Sequence, residues 1–260
     1  MRYASLRQGL VGAWCPSVSG PYGYRLPDLS GYGNHGTLTN MDSGSDWVVS
    51  GGKGALDFDG SDDVVRLTLQ NKIQTTTSFT MSAWVYTRNT NAQRNIFSTW
   101  KFNRQSGWQF TIDSANKVSA AFLQAFAQTY YVITSNTTIA TNTWTNVLCV
   151  SSGDVLSNVN IFVNGTNSGK IDGPTTDPGP LDSTSLSIGA REANASYDDT
   201  FLNGQLDDIR IYNRALTPSE IRLLASERGI GLKPERLRNR YTLIQTPSRN
   251  RSSRFLGFPA

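Results

Sequence analysis

Residues able to do chemistry gather in two segments near opposite ends of this 260-residue chain. Leu26–Leu38, LPDLSGYGNHGTL, places Asp28, Asn34 and His35 in a Gly-rich loop that runs into a strand. Phe201–Leu224, FLNGQLDDIRIYNRALTPSEIRLL, carries the adjacent acids Asp207 and Asp208 on a strand, followed by a Pro-started helix. A hard cation takes roughly six to eight oxygens, drawn from carboxylates and from the carbonyls of a tight loop. The loop Asp28–Gly36 with a carboxylate from Asp207 or Asp208 could supply such a set. Two uses are open. One is a structural cation site that pins the chain ends together; in the other, Asp28 caps a turn and Asp207 accepts backbone N–H groups. Strand alternation sends Asp207 and Asp208 to opposite faces, which leaves Asp208 for solvent or Arg210.

Catalysis finds little support. His35 is the one histidine, so any Ser-His-Asp or metal–histidine arrangement would have to use it, in a loop where packing is the expected role. Glycosidases on sandwich folds work with two positioned carboxylates. The glutamates are Glu192, Glu220, Glu227 and Glu235, and two of these fall in the terminal helix. The pairs Asp62-Asp63 and Asp198-Asp199 point to opposite faces if extended, which prevents a shared proton. Gly31-x-Gly33-x-x-Gly36 matches a dinucleotide fingerprint in letters only, because it follows Pro27–Ser30 rather than a strand and opens no helix. The expectation is a protein that is not an enzyme.

The elements that must position these residues are short strands. Apolar or alternating runs recur between turn signals at Gly9–Cys15, Gly54–Phe58, Val64–Leu67, Phe79–Tyr86, Asn95–Trp100 and Trp108–Ile112. They continue at Val118–Leu123, Tyr130–Thr134, Trp144–Val150, Val159–Val163, Ser185–Ile188 and Leu206–Tyr212. That spacing predicts an all-β antiparallel sandwich. Both alternating sets of Phe79–Tyr86 carry large side chains, so this strand is expected in the interior. Asn164-Gly165 is a two-residue hairpin signal, because both positions tolerate positive φ. Residues 173–183 hold three prolines and read as a loop. Thr217-Pro218-Ser219-Glu220 opens a helix with a capping box, Ile221 and Leu224 give it an apolar stripe, and Gly229 ends it.

Hydrophobic residues at 38% and charged residues at 17% fit a globular protein. No apolar run approaches the ~18 residues of a membrane helix. The N-terminal MRYASLRQGLVGAWC lacks the apolar segment of a secretory signal, so the protein is expected to stay where it is made or to leave inside an assembly. Cys15 and Cys149 sit in strand-like runs and are expected as buried free thiols. Residues 228–260 carry eight basic residues against Glu235, a net +7, so residues 1–227 net −3 of the overall +4. The predicted division is a domain over 1–227 and a basic, partly apolar arm over 228–260.

That arm keeps Leu237, Tyr241, Leu243, Ile244, Phe255, Leu256 and Phe258 among its arginines, whereas disordered tails are poor in such residues. Its charge would attract nucleic acid, but no stacking motif supports specificity. Docking onto an acidic protein surface through Arg236, Arg238, Arg240, Tyr241, Arg251, Arg254 and Phe255 is the expectation. Aromatic platforms for a glycan could come from Trp100, Phe102, Trp108, Tyr130, Tyr131 or Tyr197. Burial in the sandwich competes for each of them.

Several segments together carry a resemblance. They are Gly9-Leu10-Val11-Gly12-Ala13-Trp14, the loop Asp28–Gly36, Ala55-Leu56-Asp57-Phe58-Asp59-Gly60 with Asp62-Asp63, and Phe79–Val85. Trp144-Thr145-Asn146-Val147, Ile161–Gly165 and Leu206–Leu216 complete the set. Over about residues 9–227 their order and spacing resemble the laminin-G-like, concanavalin A-like jelly-roll domains, in particular their bacterial and phage branch. The resemblance implies two facing antiparallel sheets, binding loops at the rim, and buried Trp14, Trp84 and Trp144. It also implies a structural calcium site joining first and last strands, with Asp28, Asn34 and Asp207 as side-chain ligands and carbonyls from Gly31 and His35. Family members are mostly non-catalytic. Phage members often lack a signal and end in a basic arm, which implies a virion surface component: a capsid decoration, head-fibre or tail protein. Its jelly roll would face host glycans and residues 228–260 would contact other virion proteins, with a homo-oligomer compatible. A free-standing carbohydrate-binding module is the alternative, and a glycoside hydrolase or lyase a remote one.

Overall fold

Alternating apolar and polar residues, broken by glycine and asparagine turns, give the chain strands on two sheets. The computed structural model describes residues 3–69, 78–88, 92–99, 107–123, 130–153, 158–171, 185–192 and 198–232. A 3-10 turn at Ala4–Arg7 leads to β1 (Leu10–Trp14) and the one-turn helix α1 (Pro16–Ser19). Next come β2 (Arg25–Leu26), β3 (Gly36–Thr39), β4 (Trp47–Ser50), β5 (Lys53–Asp59) and β6 (Val64–Thr68). They are followed by β7 (Phe79–Thr87), β8 (Arg94–Ser98), β9 (Gly107–Ile112), β10 (Lys117–Leu123), β11 (Tyr130–Thr138) and β12 (Thr145–Ser151). The rest are β13 (Val159–Val163), β14 (Thr166–Ile171), β15 (Ser185–Ile188), β16 (Arg191–Glu192), β17 (Asp198–Asp199), β18 (Asn203–Tyr212) and helix α2 (Pro218–Leu224).

Sheet one runs β14-β13-β12-β7-β18-β5-β4, with β1 also paired to β18. Sheet two runs β11-β10-β9-β8-β15-β6-β3-β2, and β16 with β17 forms a separate ribbon. All the pairings are antiparallel. The main core lies between the sheets, where Phe58, Met81, Val85, Val147 and Ile211 of sheet one meet Val65, Phe97, Trp108, Phe110 and Phe122 of sheet two. Phe79 and Phe122 meet across it at 5.6 Å between ring centroids. β7 lies between β12 and β18 with most positions buried on both faces, the interior strand its sequence predicts.

A second apolar cluster covers the outer face of sheet one. Leu6, Leu10, Leu148, Val150, Tyr212, Ile221, Leu224, Ile230 and Leu232 build it, so both ends of the described chain pack over the same strands. The capping box of α2 forms as expected, with Glu220 N donating to Thr217 Oγ1 at 3.3 Å and Thr217 N to Glu220 Oε2 at 3.0 Å. Asn164 and Gly165, at φ 49° and 76°, turn β13 into β14. Both cysteines are buried and free, and burial pushes both thiols up from their ordinary pKa; at Cys15 the Asp208 and Asp207 carboxylates add to it.

Three boundaries differ from the expectation. α2 ends at Leu224 rather than near Gly229. The short strands β2 and β4 fall in segments without a recognisable run. The expected arm boundary at 227/228 lies inside packed chain, because Ile230 and Leu232 complete the outer apolar cluster. The rest of the arm, with Arg236, Arg238, Arg240, Tyr241, Arg251, Arg254 and Phe255, lies outside the described residues.

Candidate functional site

The expected metal residues close the sandwich without converging. β1 runs between them: Trp14 pairs with Ile209 of β18 on one side and bridges Asp28 on the other. Asp28 Oδ1 accepts the N–H groups of Ala13 at 3.0 Å and Ser30 at 2.9 Å. Its Oδ2 accepts the Ser30 hydroxyl at 2.8 Å and Asn34 N–H at 3.0 Å. His35 Nδ1 accepts Asp28 N–H at 3.0 Å, and Asn34 O accepts the Trp14 indole N–H at 2.8 Å. Gly31 takes φ 100°, as the turn between Ser30 and Tyr32 needs. Four donors fill the carboxylate, and the Asn34 carbonyl is taken. This donor set does not fit a calcium ion, and the geometry at Asp28 is that of a turn cap.

Asp207 and Asp208 depart from simple alternation. The ladder between β18 and β7 shifts between Asp207 and Arg210, and Asp208 sits at φ 52°. Such a bulge leaves both acids off the core face, where Leu206 and Ile209 point inward. Asp208 chelates Arg210 at 2.6 and 2.9 Å and accepts Gly229 N–H at 2.8 Å. Arg210, fully buried, also donates to Ile230 O at 2.6 Å. Asp207 Oδ1 accepts Ser17 N–H at 3.0 Å, while Oδ2 has no hydrogen bond and faces Arg228 Nη1 at 3.7 Å. Burial, then the Asp208 charge, pushes the Asp207 carboxyl up to about 6. Arg228 also lies over the Trp144 ring, 4.0 Å from its centroid, and donates to Ser50 O. These contacts are a clasp for the chain end, with every charge facing protein.

Other acids are committed too. Glu220 chelates Arg214, Glu227 meets Lys53 at 2.7 Å, and Asp199 pairs with Arg191. Asp62 and Asp63 are not extended, so the opposite-face condition does not apply to them. They curl with Asp59 into one loop, where Asp59 Oδ1 accepts Ser61 N–H and Asp63 Oδ2 accepts Asp59 N–H.

The feature that sequence reasoning missed is the outer face of sheet two. Strand registers place Arg25, Thr37, Arg66, Ser187, Ser98, Gln109, Ala121 and Val132 in one row across the sheet. A neighbouring row holds Asn95, Thr111, Ser119 and Thr134. Arg25, Thr37, Arg66 and Val132 are exposed and Thr134 is half-buried, but Ser187, Ser98, Gln109, Thr111, Ser119 and Asn95 are buried. Gln109 is 1% exposed, and neither its Oε1 nor its Nε2 has a hydrogen-bond partner among the described residues. Asn95 Oδ1 is likewise unpaired. Buried polar atoms are overwhelmingly hydrogen-bonded in folded proteins, so an amide unpaired at both ends requires an explanation. These two rows carry no carboxylate.

The aromatic candidates fare unevenly. Trp108 is a core residue, 1% exposed and edge-on to Phe97 at 5.4 Å, because its position on β9 faces inward; it is no platform. Tyr131 is half-buried and packs against the core. Tyr130 lies on β11, and its side chain, like Trp100, Phe102 and Tyr197, lies outside the described residues. Trp14 is buried as expected. Trp84 and Trp144 are only half-buried, because they point outward from sheet one. The Trp84 indole donates to Leu224 O at 3.2 Å, and Arg228 caps Trp144.

Two facing antiparallel sheets, closed by pairing of first and last strands, define a jelly roll of the concanavalin A-like class. A laminin-G-type family model, described as the concanavalin A-like lectin/glucanases superfamily, matches residues 59–222, and the chain belongs to this family. No curated protein matches the chain. Among solved structures it is similar to the botulinum neurotoxin serotype D binding domain, with TM-score 0.64 and 15% identity over 86% of this chain and 52% of that one. The binding domain of Paraclostridial Mosquitocidal Protein 1 gives 0.64 and 17%, over 85% and 52%. Domain 4 of AbnA, a GH43 extracellular arabinanase from Geobacillus stearothermophilus, in complex with arabinotriose, gives 0.61 and 19%, over 83% and 98%. The chain thus spans about half the length of the neurotoxin and mosquitocidal domains and nearly all of the arabinanase domain.

Proposed function

We propose that this chain is a carbohydrate-binding module that works without catalysis. The observation that carries the proposal is the Gln109 amide, buried on a sheet face of serine, threonine and asparagine with both polar atoms unpaired. Leaving such atoms unpaired costs about 1–3 kcal/mol each, and because both atoms are enclosed, a ligand relieves that cost only by displacing what covers them. Sugar hydroxyls both donate and accept, so one saccharide can satisfy Oε1 and Nε2 together. The arabinotriose complex of the similar arabinanase domain supports the ligand class. The lack of a carboxylate in the two rows favours binding over hydrolysis, which needs two positioned acids.

The wider setting belongs to the same proposal. The module is displayed on a larger assembly, a virion surface in the case the sequence resemblance implies, and the chain beyond Leu232 is its anchor. The net +6 of residues 233–260, seven basic residues against Glu235, and their interleaved aromatics support that role. The test is an oligosaccharide array probed with the full chain and with Gln109→Leu. Retention of glycans by the wild type and markedly weaker retention by the variant is the expected result. A wild type that retains none, or a variant that binds equally, contradicts the proposal.

A further inference from the structure

Tyr22 and Tyr24 are the most exposed aromatic side chains among the described residues, at 61% and 60%. They flank Gly23 just before β2, the edge strand of sheet two. Three hydrogen bonds fix their backbone. The Trp47 indole donates to Gly23 O at 2.8 Å, Leu38 N to Tyr24 O at 2.8 Å, and Arg25 N to Tyr22 O at 3.3 Å. Trp47 opens β4, the edge strand of sheet one, and packs against the main core. The tyrosines therefore sit on a turn held from both sheets at once. A Cβ on Gly23 would meet nothing within 4 Å, so the glycine serves its φ of 62° and the space above the turn is open.

We infer that Tyr22 and Tyr24, positioned by Trp47, form a sugar-stacking platform distinct from the Gln109 face. This inference rests on the carbohydrate-binding reading. A sugar ring presents an apolar C–H face edged by hydroxyls, and a phenol presents a flat apolar face ending in one hydroxyl, so the two surfaces match in kind. Tyrosine offers this area at low cost in side-chain entropy, and a fixed backbone lowers the ordering cost further. A protein partner would need roughly 20–30 residues a side, far more than one short turn provides.

The same oligosaccharide array decides the matter, with Tyr22→Ala/Tyr24→Ala, the single Tyr22→Ser and Tyr24→Ser variants, and Trp47→Phe beside the wild type. Melting temperature reports folding. The double variant is expected to melt with the wild type and to bind the retained glycans about tenfold more weakly. Trp47→Phe, which removes the indole N–H and part of the ring that packs against the core, is expected to weaken binding by less. Equal affinity in wild type and tyrosine variants overturns the platform while the carbohydrate reading stands. Retention of no glycan by the wild type overturns both.

Discussion

Asp28 shows how one carboxylate can join a chain end to its neighbours. Its replacement by alanine strands the N–H groups of Ala13, Ser30 and Asn34 in a buried site, each at about 1–3 kcal/mol. Denaturant unfolding of Asp28→Ala should lose about 3 kcal/mol or more, with part recovered in Asp28→Asn. Calcium or a chelator should leave the melting temperature of the wild type unchanged; a calcium-dependent rise of several degrees would show the loop opening to take the ion. Asp207 makes a different prediction. Its folded carboxyl, at about 6, holds a proton more tightly than the ordinary carboxyl at 3.8. The folded state therefore binds more protons between about pH 4 and pH 6, and stability falls as pH rises through that window. Asp207→Asn should show a smaller fall, with Asp63, also raised to about 6, supplying the remainder. Melting curves at a series of pH values check the sign. A fall as steep in Asp207→Asn as in the wild type would contradict it.

Among the elements, most strands were legible because their alternation is plain, and the capping box of α2 because its four letters state its chemistry. The bulge in β18 was not. Two acids in a row read as an inward and an outward side chain, and nothing in LDDIRIY announces that Asp208 adopts a left-handed conformation. Its consequence is that Asp208 meets Arg210, one of the two partners alternation left open, in a pair sealed from solvent. Removing one partner of a buried pair typically costs about 3–5 kcal/mol, so Asp208→Ala should unfold at distinctly lower denaturant than Asp62→Ala, whose site is exposed. Equal midpoints would mean that the pair contributes nothing. Gln109 was illegible for another reason. In WQFTI it looks like any polar residue on a half-exposed strand, and only the register across sheet two reveals a buried polar row.

For the molecule as a whole, the meeting of first and last strands was readable from two segments far apart in sequence, whereas the clasp that follows was not. GIGL after a helix reads as the start of the arm, yet Arg228, Ile230 and Leu232 seal the outer face of sheet one. A chain ending at Leu232 should melt like the full chain. A chain ending at Glu227 loses two buried aliphatic side chains, each worth roughly 1.5–3 kcal/mol, along with the partners of Asp207 and Asp208, and should melt many degrees lower. If the assembly role holds, the chain ending at Leu232 stays folded but no longer co-sediments with the particles the full chain joins. The side-chain amide of Gln109 reports directly on the outer face of sheet two. Nitrogen-15 spectra recorded during titration with an array-selected oligosaccharide should show the Gln109 side-chain signal moving saturably with the ligand. A Gln109 signal that stays fixed while other amides saturate would place the sugar elsewhere and contradict the account.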